Sequence, residues 1–470
     1  MRVLYEKLRE DNTEMYIRFA DDLYEKYIGD KNRESFFLNL SKKDEVFFRE
    51  YIQKIIPNRR PGKLVSNKNI RKCYEFFINK VNELGSGSPE KIEEICWELK
   101  KKIETNLIFV VIDVDKDVDA YAIFESINSK RQGLTISDLL KNYIFSAADQ
   151  YEKEKPDSRK LAITEDAWDR MEQELDKIEI NQYIRHFWIS NYRKVFEKEL
   201  YQQIKNKLSS NCHAILDFFA GVVDESGAYA EIVNANLQGL SSEGLRALEQ
   251  LKQLRNKQYY PLILSAIHAK LPSDEISSLI KLIASVAVRR ALIGKNPNEL
   301  EDFFADNASI LRKKEVTIDS LKSVMCQNFW ITDEIVGEEI KTANFEDQEY
   351  LAKFILREFE ASKNAANEKI LGRVSLEHVL PRNPEKQNDW KVSLERQKDL
   401  LWNIGNLALI GQEYNNKMSN KSFHKKKPFL KKTEIKTTTS LSILEDWTEA
   451  EILKRNSEVA SFLIKWWPKN

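Results

Sequence analysis

Apolar residues recur along this chain mostly at three- and four-residue intervals, which predicts helices over the greater part of its length. From Leu4 to about Ile103 the period is helical, as in Phe47, Phe48, Tyr51 and Ile55, with a turn at Pro57 to Gly62 and a linker-like GSGSP at Gly85 to Pro89. The run LIFVVIDV, Leu107 to Val114, is short, unbroken and β-branched, and predicts a buried strand. From about Ala162 to Phe345 the helical pattern resumes. One helix there is bounded closely: Ser273 is its N-cap after Pro272, Ile276, Leu279, Ile280, Ile283 and Ala287 form its buried face, and Gly294 stops it. After Glu346 the texture changes to a helix ending near Asn364 and two short apolar segments, VSLEHVL and LWNIGNLALI. The chain closes with an amphipathic helix that has Thr448 as N-cap and Glu451 in the capping-box position. These patterns predict a mainly α protein in three parts, residues 1–150, 151–345 and 346–470.

Composition narrows the classes. With 42% apolar residues, 23 Phe, 17 Tyr and 9 Trp in 470 residues, the chain can build real cores. Lysine plus arginine equals aspartate plus glutamate at 74 each, so no global field draws in nucleic acid and any such site must be a local patch. A charged N-terminus and apolar runs too short to cross a bilayer predict a soluble, cytoplasmic protein with no membrane partner. Cysteines stand only at positions 73, 96, 212 and 326, with no C-x-x-C pair, which excludes a disulfide framework and a zinc knuckle. One local patch does appear. Between Lys417 and Lys436 eight lysines face only Glu434, a local charge near +7. Lys417, Lys421, Lys425, Lys426 and Lys427 are its candidate DNA-phosphate contacts, and the absence of arginine argues against base-edge readout.

Several motifs have bland accounts. Asp113, Asp115, Asp117 and Asp119 have calcium-loop spacing, but Val118 and Phe124 stand where glycine and glutamate are needed. His186, His213 and His268 read as packed or surface helix residues without chemistry. In FESINSKRQGLTISDLLKNYIF, Phe124 to Phe145, Gly133 permits a turn, and Thr135 with Asp138 caps a helix. Asn128, Lys130 and Arg131 precede that helix N-terminus, where backbone N–H groups favour anions, so Asn128 and Arg131 are weak candidates for nucleotide phosphate.

The same block resembles the F-x-x-I-N-x-x-G-x-x-L-x-x-x-D-L-L-K-N block in the N-terminal domain of GmrSD-type, modification-dependent (type IV) restriction endonucleases. It aligns without a gap, although Arg131 stands where the family usually has glycine. The resemblance implies a ParB-like α+β domain, of which this chain would hold a short-stranded remnant. The family's hydrolytic motif D-G-Q-Q-R is not found here, and residues 1–60 resemble the family's sequence just downstream of it. NTP hydrolysis by this chain alone is therefore not implied: the chain is an N-terminally truncated or mis-started copy, or a separate polypeptide supplies the motif.

The second constellation begins at VSLEHVLPRNP, Val374 to Pro384. Adjacent strand positions face apart, so Glu377 and His378 serve one site only where the strand ends, and Pro381 makes an early end natural. They read either as surface residues with turn-forming asparagines downstream, or as part of a site that Asn406 and Asn415 join, 28 and 37 residues after His378. This arrangement resembles the C-terminal HNH, or His-Me finger, nuclease domain of the same family, and also the HNH domain of CRISPR effectors. The resemblance implies a ββα-metal module in which His378 is the general base and Asn406 holds its loop. Glu377 and Asn415, with Asn416 as a rival, would bind Mg²⁺ or Mn²⁺. The function it implies is a metal-dependent endonuclease acting on DNA in defence; the alternative is a DNA-binding or regulatory subunit with an idle nuclease site. A homo-oligomer stays open.

Overall fold

The computed structural model describes residues 1–30, 35–40, 42–54, 62, 65–85, 88–108, 135–209, 211–363, 374–386 and 390–469. They fall into two compact units, Met1–Ala120 and Tyr121–Asn470. The described part of the first unit is helical: α1 (Arg2–Glu10), α2 (Glu14–Tyr27), α3 (Lys42–Phe48), α4 (Val65–Gly85) and α5 (Pro89–Thr105). Leu4 and Leu8 of α1, Leu23 and Tyr24 of α2, and Ile92 and Cys96 of α5 share its core. Of the strand expected over residues 107–114, only Leu107 and Ile108 are described, and both are exposed and outside any strand. The remainder of that segment lies outside the described residues, as do the aspartates at 113, 115, 117 and 119 and the candidate phosphate contacts Asn128, Lys130 and Arg131.

The described part of the second unit opens with ten helices: α6 (Ile136–Glu154), α7 (Lys160–Leu175), α8 (Ile180–Asn191), α9 (Glu197–Leu208), α10 (Cys212–Asn234), α11 (Ser242–Gln253), α12 (Tyr260–His268), α13 (Ser273–Leu292), α14 (Asn298–Arg312) and α15 (Ile318–Asn328). At the start of α6, Thr135 Oγ1 accepts from Asp138 N at 3.2 Å while Asp138 Oδ2 accepts from Thr135 N at 3.0 Å, a reciprocal capping box. The five residues expected on the buried face of α13 are buried, but so are Leu282, Ala284, Val286 and Val288, so this helix runs through the core instead of along its edge. Its start is one residue earlier than expected. Pro272 is the extended N-cap and Ser273 the first helical residue, while Gly294 at φ +63° supports the stop.

The C-terminal part follows as α16 (Asp333–Thr342), α17 (Glu349–Lys363), β1 (Val374–His378), α18 (Leu394–Leu401), β2 (Leu407–Gly411), α19 (Gln412–Met418), α20 (Phe423–Lys432), α21 (Lys436–Thr439) and α22 (Glu449–Trp466). Among the described residues β1 and β2 form the one sheet, antiparallel, with Val374 opposite Gly411 and His378 opposite Leu407. Both of its faces are covered. Leu376, Leu407 and Leu409 join a cluster with Ile355, Trp402 and Val459, whereas Ala408 and Ile410 join another with Val379, Leu380, Met418, Phe423 and Trp447. Two-sided burial explains why LALI is an unbroken apolar run. The fold is mainly α, as the periodicity predicts.

Arg289, 2% exposed, fastens α13 to this part by donating to Trp467 O at 2.9 Å, Ile331 O at 2.9 Å and Asp333 Oδ1 at 2.8 Å. Helix α22 has Thr448 at its N-cap position, but the threonine makes no side-chain capping bond, so the expected capping box does not close. Among the described residues no helix is long and apolar enough to cross a membrane.

Candidate functional site

Strand β1 ends at His378, and the chain leaves the sheet through Val379 and Leu380, both fully buried. A buried irregular segment must find partners for its backbone groups. Asn406, itself inaccessible, supplies three of them: its backbone oxygen accepts from Val379 N at 3.1 Å, its Oδ1 from Leu380 N at 2.7 Å, and its Nδ2 donates to Leu380 O at 3.0 Å. The same Nδ2 also donates to Leu401 O at 3.0 Å, and Trp447 donates its indole N–H to Asn406 Oδ1 at 3.0 Å. Arg455 holds the turn before Asn406 through Gly405 O at 2.8 Å and Ile404 O at 3.3 Å. Pro381 O accepts from Gln397 Nε2 of α18 at 2.7 Å, which fixes the next residue of the exit.

The alternation of the strand is kept up to its last residue, and it divides the expected site. His378 is half-buried on the Leu376 face, edge-on to Trp402 with ring centroids 4.3 Å apart and planes at 86°. Its Nε2 is buried with no hydrogen-bond partner. Burial, with Arg382 and Lys426 nearby and Glu349 opposing, pushes its pKa down to about 4, so the ring is neutral at pH 7.

Glu377 points the other way, toward α20. Its carboxylate, 4% exposed, accepts from Lys426 Nζ at 2.5 Å. Burial pushes the Glu377 carboxyl up and the Lys426 ammonium down, and the attraction between them opposes both shifts. Lys426 is wholly inaccessible, which removes it from the lysines expected on DNA. Asn415, on α19, donates from Nδ2 to Ser375 Oγ at 2.8 Å and Leu376 O at 2.9 Å, whereas its rival Asn416 is exposed and accepts from Gln412 at 3.0 Å. Of the two asparagines, Asn415 is therefore the one against the sheet.

The other lysines are surface residues with local ties. Lys417 pairs with Glu413, Lys421 donates to Lys417 O at 2.7 Å, and Lys427 to Leu444 O at 2.7 Å. Lys425, 63% exposed, has Glu385 at 3.6 Å. Among the described residues no three or more His, Cys, Asp or Glu side chains are grouped to hold a metal ion. The smaller set expected for Mg²⁺ or Mn²⁺ does not fit as arranged, because the Glu377 carboxylate is committed to an internal ammonium and faces away from His378.

Trp447, Arg455 and Gly405 are not among the candidate residues, and Lys426 is among them only as a DNA contact, not as the buried partner of Glu377. One signal for Lys426 lay in the sequence: Phe423, Lys426 and Leu430 fall at helical spacing i, i+3, i+7, and all three are buried. Comparison with protein families gives two matches: the C-terminal domain of GmrSD restriction endonucleases over residues 330–462, and the N-terminal domain of GmrSD restriction endonuclease over residues 3–145. No curated protein matches the chain.

Proposed function

The chain belongs to the GmrSD restriction endonuclease family, and on that premise we propose that residues 346–470 are an HNH-like module that hydrolyses DNA phosphodiester bonds, with His378 as general base. The observation that carries this reading is the strand end itself: a neutral, half-buried imidazole stands where β1 stops, on a loop whose backbone Asn406 holds at three atoms. A neutral ring can take a proton from an attacking water. The phosphate it would serve is anionic, and its approach raises the basicity of a histidine that burial has depressed. Lys421 and Lys425 lie on the neighbouring surface and can pair with flanking phosphates. A divalent cation, when bound, would neutralise charge on the phosphate, and Asn415 is the expected ligand that still offers an oxygen.

A second reading has its own support. The commitment of Glu377 to Lys426 and its position opposite His378 fit a DNA-binding or regulatory subunit whose nuclease site is idle until a partner acts, including a polypeptide that carries D-G-Q-Q-R. Plasmid nicking separates the two. On the enzyme reading, purified protein nicks supercoiled DNA in Mg²⁺ or Mn²⁺, EDTA stops it, and His378→Ala abolishes cleavage while DNA binding stays within a few-fold. Normal cutting by His378→Ala refutes the base assignment, and a mobility shift without cuts favours the subunit.

A further inference from the structure

The three protons of the Lys426 ammonium are all spent on one short stretch: Glu377 Oε1 at 2.5 Å, His378 O at 2.9 Å and Val379 O at 3.2 Å. Combined with Asn406, this gives a complete account of the strand exit. His378 O and Val379 O go to Lys426, while Val379 N, Leu380 N and Leu380 O go to Asn406. Five consecutive polar backbone atoms are thus bound by two residues, one from α20 and one from the turn just before β2. The peptide that carries the His378 carbonyl is held from one side and its continuation from the other.

An ammonium buried at this depth needs a counter-charge, and Glu377 is the carboxylate that provides it. A carboxylate on that duty has little left to offer a divalent cation, and an ammonium with no exposed surface cannot neutralise a phosphate on DNA. We propose that Lys426 is a positioning residue for His378 and that Glu377 is its internal counter-ion instead of a metal ligand. The clamp fixes the backbone that aims the imidazole. This proposal rests on the nuclease reading for its consequence in turnover, although the clamp itself does not.

The test uses the full chain and three variants. Glu377→Gln keeps an oxygen for Lys426; Glu377→Leu with Lys426→Met replaces the pair by apolar side chains, a change that buried ion pairs commonly tolerate, so that folding can be verified by thermal melting. Lys426→Met alone is compared if the double variant does not fold. In the clamp, Mn²⁺ alone binds Glu377→Gln within twofold of the unaltered protein; a tenfold weakening makes Glu377 a ligand and overturns the proposal. The salt dependence of DNA binding is unchanged in the Lys426 variants, whereas a slope smaller by ~0.9, the value for one phosphate, makes Lys426 a DNA contact and overturns it. Nicking by the folded double variant falls at least tenfold in kcat with KM unchanged, and turnover equal to the unaltered protein overturns the positioning role. If the unaltered protein does not nick, the nuclease reading fails separately, and hydrogen exchange decides the clamp: the amides of Val379 and Leu380 exchange at least tenfold faster in the folded variant, and unchanged rates overturn it.

Discussion

Trp447 donates its indole N–H to Asn406 Oδ1 at 3.0 Å, so a residue near the start of α22 shares the oxygen that holds the loop after His378. Asn406 has no idle atom: Oδ1 accepts twice and Nδ2 donates twice. Asn406→Asp turns the donating end into an acceptor that faces the carbonyls of Leu380 and Leu401. Asn406→Ala leaves those groups and the indole alone, at roughly 1–3 kcal/mol for each buried group without a partner. Both variants are expected to lower the urea midpoint, with Asp no milder than Ala despite its near-identical shape. An Asp variant as stable as the unaltered protein at pH 7.5 would contradict this hydrogen-bond assignment.

Gly405 is placed where no side chain fits. An added Cβ would meet Ile452 O at 2.1 Å, with Asn403 Oδ1 and Asn456 N both at 3.1 Å, and backbone cannot yield as a flexible side chain can. Gly405→Ala is expected to destabilise by about 1–3 kcal/mol, as overpacking does, and to reduce nicking by displacing Asn406. Gly337, inside α16 with nothing within 4 Å of its added Cβ, is the control. Gly337→Ala is expected to stabilise by about 0.4–1 kcal/mol. Equal and small effects at the two glycines would show that the close approach at Gly405 is not felt.

Much of this was legible in the sequence because it depends on local rules. The helical periods, the Thr135 to Asp138 cap, the Gly294 stop and the two short apolar segments all follow from period and capping chemistry. The placement of Ser273 missed by one residue, which is the ordinary uncertainty of a helix end. What was not legible depends on distant partners. Lys426 looked like one more charge in KKK, and only packing of α20 against β1, 49 positions earlier, turns it inward to Glu377. The face of His378 was in doubt for a similar reason, since whether a strand bends at its end is set by what packs on it. Here Trp402 and Lys426 hold opposite faces, and the alternation survives.

The lysine segment makes a prediction with a number that burial has altered. Replacing Lys425, Lys426 and Lys427 together would naively remove three phosphate contacts, yet Lys426 is inaccessible and Lys427 Nζ is engaged by Leu444 O. Lys421→Gln with Lys425→Gln is expected to shrink the slope of log K against log salt by about 1.8, at ~0.9 per phosphate. Fluorescence anisotropy with a duplex, from low to moderate salt, reads it directly. An unchanged slope would place the DNA surface elsewhere.

His186 gives a pH dependence whose sign can be worked out. Its ring is 4% exposed, with Nδ1 2.8 Å from the Tyr229 hydroxyl and the rings of Tyr229 and Tyr260 around it. Burial, helped by Arg185 and Lys257, pushes its pKa down to about 3. In the unfolded chain a histidine protonates near 6.5, so between these values the unfolded state binds the extra proton. The contribution is therefore complete above about pH 6.5 and is lost as pH falls toward 3, at about 1.4 kcal/mol per pH unit in that window. His186→Gln keeps a polar group for Tyr229 and cannot titrate. Urea unfolding at pH 7.5, 6.0 and 5.0 should show the variant less stable at pH 7.5 but with a flatter decline, the two curves approaching each other on acidification. Parallel declines would mean that the acid sensitivity of the helical core comes from other groups and that the His186 pocket admits a proton without cost.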